Sequence, residues 1–270
     1  MSMGTTPSTP PKASPCAAAW APPGLLRLDY ASRVDGLADW ALVWPGDGAD
    51  WVVQLHRHGS TGDQIFTRKD IRDLWLPHYR KLGLGVLSPN LHGNAWMSPA
   101  AAADLRELIA WTRRTYGARR FFFSSGSMGG TSNLIYAVLH PEDVAAVVAR
   151  CPATDLAIYH DWLAAHPGGV RDQIRQAIAT AYGGPPSAAP DVYAAHSALR
   201  NASRLTMPVH LCHADADPTI PVDESRRLAQ AMAGKPNFTY LEIPGGHDAP
   251  LARREALDWL EAQVRGHAPE

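Results

Sequence analysis

Residues 124–130 read SSGSMGG and follow directly on the aromatic run Phe121–Phe123. A serine acts as a nucleophile when a sharp strand-to-helix turn holds its hydroxyl out, near a base and beside backbone N–H groups that can bind an oxyanion. Such a turn needs small residues two places before and two places after the serine. Ser127 has Ser125 and Gly129 there, a small-x-Ser-x-Gly pattern with serine in place of the usual first glycine. Ser124 would put Phe122 in the tight position and Ser125 would be followed two places on by Ser127, so Ser127 is the candidate. The competing reading is a plain glycine-rich turn, and partners elsewhere decide between the two. A nucleotide loop is excluded by pattern, since GSMGG is neither G-x-G-x-x-G nor a loop ending in Gly-Lys-Ser/Thr.

Two partners follow in chain order. HADADPTIP (213–221) comes after the apolar stretch PVHLC and puts Asp215 and Asp217 in the loop at a strand's carboxyl end. A carboxylate there can accept from a histidine N–H, fixing its tautomer and stabilising the imidazolium. Asp217, four residues before Pro221, is preferred over Asp215; the alternative is one aspartate capping the next helix and the other solvated in the turn. EIPGGHDAP (242–250) then places His247 after two glycines, ahead of the last helix.

The order Ser, Asp, His, each at the end of a successive strand, resembles the α/β-hydrolase superfamily, and within it the compact serine esterases related to the prolyl oligopeptidase catalytic domain. The resemblance runs from about Tyr30 to the C-terminus and rests on SSGSMGG, HADADPTIP and PGGHDAP, with NASRLTMPVHL leading into the acid strand. It implies that Ser127 attacks an ester or amide carbonyl, His247 shuttles the proton and Asp217 orients His247. It also implies an acylated carbohydrate or small-molecule ester as substrate, in the manner of deacetylating and feruloyl esterases. A small peptidase is the alternative, although the propeller-like domain of the large oligopeptidases does not fit in this length. A non-catalytic binding protein on the same fold predicts a broken triad.

For the oxyanion, one N–H is expected from Met128, at a helix start where the dipole favours negative charge. The second is expected from the loop after WVVQLH, which reads LHRHGSTGD, with Arg57 where such relatives carry glycine. If His56 ends the strand the donor is the His58 amide; if His58 ends it, the donor is that of Ser60. His58 is the preferred donor because the apolar run stops at Leu55. His56 and His58 lie on one side of an extended chain, but no third ligand is near in sequence, so neither metal nor cofactor is expected. Substrate-pocket candidates are Asn94 and Trp96 in SPNLHGNAWMSP, with Asn90 and His92, and Trp162 with Tyr159 and His160 further on. Each has an alternative as a turn or packing residue.

These residues need strands to present them. Short apolar stretches at 51–56, 85–90, 120–125, 144–152, 207–215 and 238–246 alternate with helical patterns at 68–82, 99–116, from 130, 222–233 and 250–265. That alternation implies a doubly wound, mostly parallel β-sheet flanked by helices. Residues before about 45 read as an antiparallel edge hairpin turning at Asp35-Gly36. Residues 154–204 interrupt the alternation and are expected to form a helical cap above the active-site edge. Residues 1–20, rich in Pro, Ser and Thr, are expected to be a flexible tail, leaving 21–270 as the hydrolase domain.

Bulk properties narrow the partners. With 270 residues, 46% of them hydrophobic, the chain can hold one large domain with a substantial core. Twenty-five basic residues against 26 acidic ones, scattered along the chain for a formal net charge of −1, give no footprint for nucleic acid or anionic lipid. A small or uncharged ligand is expected. Cys16, Cys151 and Cys212 are too few and too dispersed for a disulfide framework. The N-terminus lacks an export pattern and no run of about 18 apolar residues occurs, so a cytoplasmic location is expected. The helix patterns mark no oligomer interface.

Overall fold

In the computed structural model, which describes residues 11–266, three antiparallel strands open the chain: β1 (Lys12–Pro15), β2 (Leu26–Ala31) and β3 (Ala38–Trp44). β4 (Asp50–Val53) leads through α1 (Gln64–Thr67) and α2 (Lys69–Lys81) to β5 (Gly85–Pro89), and α3 (Pro99–Tyr116) leads back to β6 (Arg120–Gly126). After α4 (Met128–Leu139) and β7 (Ala146–Arg150) come three helices, α5 (Leu156–Ala165), α6 (Val170–Ala181) and α7 (Pro190–Ala195). β8 (Val209–Ala214), α8 (Asp223–Ala231), β9 (Phe238–Ile243) and α9 (Glu255–Arg265) complete the order.

The strands form one sheet in the order β1-β2-β3-β5-β4-β6-β7-β8-β9, parallel from β5 through β9. The chain steps outward from β4 to β5, then back past β4 to β6. The loops that leave the carboxyl ends of β4 and β6 therefore meet at the point where the winding reverses, which is where open α/β sheets build their sites.

The triple phenylalanine follows from burial on both faces of a central strand. Phe121 and Phe123 pack with Leu105 and Ile109 of α3 and Leu134 of α4, whereas Phe122 faces the opposite core with Trp75 of α2 and Leu257 of α9. α4 begins at Met128, two residues ahead of the expected start at Gly130.

The expected tail is partly ordered. Lys12–Pro15 pairs with Leu26–Asp29, Cys16 N–H donates to the Leu25 carbonyl (2.9 Å), and the Trp20 ring stacks on Phe66 at 6.0 Å. An edge strand needs only a neighbouring backbone ladder, so a stretch with little to bury still finds a place. Residues 1–10 of that tail lie outside the described residues. The hairpin expected at the sheet edge is accordingly one strand further in, with β1 outside it.

The segment between β7 and β8 is helical and rests on the site's loops. Asp155 caps α5 by accepting from the Ala157 and Ile158 amides (2.9 and 3.1 Å). Tyr159 hydroxyl donates to the Thr219 carbonyl (2.9 Å), and Tyr182 hydroxyl to the Trp96 carbonyl (2.9 Å). No helix among the described residues is long and apolar enough to cross a membrane.

Candidate active site

β6 ends at Gly126 and α4 begins at Met128, so Ser127 alone makes the turn, at φ 59° and ψ −130°. A residue with a side chain held at positive φ stores on the order of 1–3 kcal/mol of strain, which the surroundings must enforce. Here Ser127 N–H donates to the Arg150 carbonyl at the end of β7 (2.8 Å), and the Ser127 carbonyl accepts from Thr131 N–H (2.9 Å). Gly129 has to be glycine, because a Cβ there would lie 2.2 Å from the Leu55 carbonyl oxygen. Ser125, the departure from the usual glycine, has work of its own: its Oγ accepts the Leu55 N–H (2.9 Å) and donates to Asn133 Oδ1 (3.3 Å). The elbow is thereby tied to the end of β4.

The three side chains singled out by sequence order meet. Ser127 hydroxyl donates to His247 Nε2 (2.8 Å), and His247 Nδ1–H donates to Asp217 Oδ2 (2.6 Å). Asp217 Oδ1 accepts the Thr219 and Ile220 amides (2.8 and 3.0 Å), which fixes the carboxylate. Asp215 does something else: it accepts the Gly245 N–H (3.0 Å) and braces the loop that carries His247.

Sequence reasoning missed two groups here. His213 is fully buried at the end of β8, takes a hydrogen bond from Ser225 hydroxyl on Nδ1 (2.7 Å), and shares its Nε2–H between the Ile220 carbonyl (3.0 Å) and Asp217 Oδ2 (3.2 Å). The His-x-x-x-Asp spacing in HADAD was the available signal. Cys151, at φ 43° just past β7, is also buried; its sulfur, an Asp217 oxygen and a His247 ring nitrogen all lie within 4.8 Å of one another.

Electrostatics follow from these contacts. Burial pushes the Asp217 carboxyl up, but hydrogen bonds from His213, His247 and the Ile220 amide outweigh it and hold the group well below the usual carboxylate range. Burial pulls His247 down, yet the neighbouring Cys151 sulfur and Asp217 carboxylate raise it to about 10. An imidazole between a carboxylate and a hydroxyl, with its N–H fixed toward the acid, can take the hydroxyl proton as the oxygen attacks an electrophile.

The loop after β4 faces the same space. Its Ser60 amide donates to the Arg57 carbonyl (3.2 Å), whereas the Met128 and His58 amides find no acceptor among the described residues. Gln64 Oε1 accepts the Arg57 N–H (2.7 Å), Asn94 Oδ1 the Gly59 N–H (2.7 Å), and the His56 ring nitrogens meet the Arg57 and Asn90 carbonyls (2.8 and 2.9 Å). The His58 ring is engaged too, accepting from Trp96 Nε1–H (3.3 Å) on Nδ1.

Asn94 therefore braces this loop. Trp96, buried between His58 and Tyr159 (ring centroids 6.1 and 5.8 Å), lines a narrow cavity of about 10 Å³, room for about one water, with Leu55, Met97, Met128 and Ser132. Trp162 stacks between Tyr159 (6.1 Å) and His166 (4.5 Å) in the helical insertion and lines neither that cavity nor the one beside Ser127. Asn90 and His92 are tied to Asp39 and Asp104.

A mostly parallel sheet with this winding, a serine elbow after β6 and a helical insertion after β7 is the α/β-hydrolase fold. No protein-family model matches the chain, and no curated protein does. Solved structures are similar to it throughout: an esterase of Pyrococcus furiosus (TM-score 0.65, 14% identity, 90% of this chain and 92% of that one) and a fluorophosphonate-binding serine hydrolase of Staphylococcus aureus (0.68, 13%, 89% and 99%). A puromycin-hydrolyzing peptidase of Mycobacterium tuberculosis aligns at TM-score 0.64 and 19% identity over 86% of this chain, which spans only 38% of that larger protein.

Proposed function

We propose that this chain is a serine hydrolase that cleaves carboxylic esters through an acyl-enzyme on Ser127. The Ser127 oxygen attacks the carbonyl carbon while its proton passes to His247 Nε2, and Asp217 stabilises the imidazolium. The Met128 and His58 amides hold the developing oxyanion. His247 then gives its proton to the departing alkoxide, leaving Ser127 acylated. Water attacks the acyl group, giving one proton to His247, and expulsion of the serine oxygen, which takes that proton back, frees the carboxylic acid.

The observation that carries this reading is the unbroken relay of 2.8 and 2.6 Å hydrogen bonds from a strained serine through His247 to Asp217. The substrate is an acylated carbohydrate or another small ester, acted on without a cofactor, and three unpaired, dispersed cysteines fit a cytoplasmic setting. Likeness in fold to the puromycin-hydrolyzing peptidase keeps peptide-bond cleavage as the second reading. Incubation with a fluorophosphonate, followed by peptide mapping, is expected to find the adduct on Ser127, and Ser127→Ala to abolish both labelling and turnover of 4-nitrophenyl acetate. An adduct on another residue, or turnover that survives Ser127→Ala, overturns the assignment.

A further inference from the structure

An ester carbonyl has little freedom in how it sits at Ser127. His247 must reach the leaving oxygen to protonate it, so the alcohol part faces β8 and β9 and the acyl part faces the opposite way. In the sheet order β5-β4-β6-β7-β8-β9 that way leads across β4 to the loop after β5, which carries Trp96 and Met97.

That space is largely filled. Two cavities touch the elbow, one at Ser127 with Gly126 and Trp75, the other at Met128 with Leu55 and Trp96, and each is about 10 Å³, room for about one water. Trp96 is 1% exposed, and its ring lies against that of His58, whose amide is one of the two oxyanion donors (centroids 6.1 Å apart). A wider groove of about 550 Å³ borders the same loop at Asn94, Ala95 and Ser98, but neither Trp96 nor the elbow lines it.

The indole is held in place at a cost. Leu91, His92, Trp96 and Met97 all stand at φ between 47 and 60°, a conformation that residues with side chains keep only where their surroundings enforce it, and such strain gathers at ligand clamps. The enforcing contacts converge on Trp96. Its Nε1–H donates to His58 Nδ1 (3.3 Å), Tyr159 of α5 packs against its ring (5.8 Å), and the buried Tyr182 hydroxyl, just past α6, reaches the carbonyls of Trp96 (2.9 Å) and Met97 (3.2 Å).

We propose that Trp96 sets the length of the acyl group: the site takes formyl and acetyl esters and excludes acyl chains of four carbons or more. A methyl group fills about the space of one water, whereas a longer chain must displace an indole pinned from α5, from the end of α6 and from the loop after β4. The proposal rests on the reading of Ser127 as nucleophile and narrows its substrate class. Of the two kinds of esterase that the sequence resembles, it favours the deacetylating one.

A series with one leaving group isolates the acyl chain. The wild-type protein is expected to lose about tenfold or more in kcat/KM from 4-nitrophenyl acetate to the butyrate, and more at the hexanoate, the scale on which single methylenes count in a closed pocket. Trp96→Ala is expected to raise the butyrate-to-acetate ratio by about tenfold or more, and Trp96→Leu, which keeps more of the buried contacts and so more of the stability, by less. A variant that is only loosened loses all esters together, so the ratio separates a shaped pocket from damage, and Tm shows which variant is folded. A flat series in the wild-type protein, or a ratio that a folded variant leaves unmoved, overturns the size limit, while Ser127 labelling and acetate turnover leave the hydrolase reading standing. If Ser127 takes no fluorophosphonate and no ester is cleaved, the hydrolase reading fails and the limit falls with it.

Discussion

Two segments converge on Ser127, and they are held there by opposite means. The elbow is held by exclusion: at Gly129 and Gly130 a single added carbon would meet the backbone at 2.2 and 2.9 Å, so the chain has one way to turn. The loop after β4 is held by attachment, its amides reaching side chains that lie 7 to 35 residues further on, Gln64 and Asn94. Steric control depends on residues at fixed short offsets. Attachment depends on which distant side chain the fold happens to bring near.

The comparison is sharpest at Gly129. Gly129→Ala drives a methyl group into the Leu55 carbonyl, and neither partner is a flexible side-chain end that can swing away. A loss of about 3 kcal/mol in stability is expected, with ester turnover down by about a hundredfold or more as Met128 and Leu55 part. Denaturant unfolding and kcat/KM measure the two. An alanine tolerated at 129 would mean that the elbow is held by attachment after all.

Gln64→Ala probes the other mode and is expected to do less. It strands the Arg57 N–H, at a cost of about 1–3 kcal/mol, and loosens the His58 donor, so kcat falls about tenfold with KM changed little. Asn94→Ala releases only the exposed Gly59 N–H, which water can satisfy, and is expected to stay within about 1 kcal/mol. Equal damage from both variants would mean that burial does not set the ranking.

The same contrast explains what could be read in the chain. The parallel sheet, the two-faced phenylalanine strand and the Ser127–Asp217–His247 order follow from local periodicity and fixed offsets, so they were legible. The serine in place of glycine at 125 was visible as a departure, but its use was not, because Leu55 is its partner 70 residues away. Cys151 was hidden likewise, and His213 showed only in its spacing to Asp217: a cysteine just past one apolar strand and a histidine within another look like core until the loops that carry Asp217 and His247 are in place. The 90–97 loop, with Leu91, His92, Trp96 and Met97 all at positive φ, obeys no turn chemistry written in its residues and is shaped by Asp39 and Asp104. Strand β1 was invisible because an edge ladder requires no apolar pattern.

Cys151 belongs to neither mode, touching the base instead of the backbone, and the expected effect of changing it is the smallest. His247 must be neutral to accept the Ser127 proton, so kcat/KM rises as pH rises through the His247 pKa of the free enzyme. With that pKa raised from 6.5 to about 10, the acid limb of the profile is expected well above that of an ordinary histidine. The same shift bears on stability with the opposite sign: the charged ring is favoured in the fold, so its contribution is complete below 6.5 and is lost as pH climbs toward about 10. Cys151→Ser keeps a hydroxyl near the ring but removes the sulfur that raises His247. Its acid limb is expected to move down toward 6.5, with the plateau rate changed little and the loss of stability at alkaline pH reduced. A pH–rate series on the two proteins checks this, and superimposed acid limbs would leave Asp217 as the only group that raises the base.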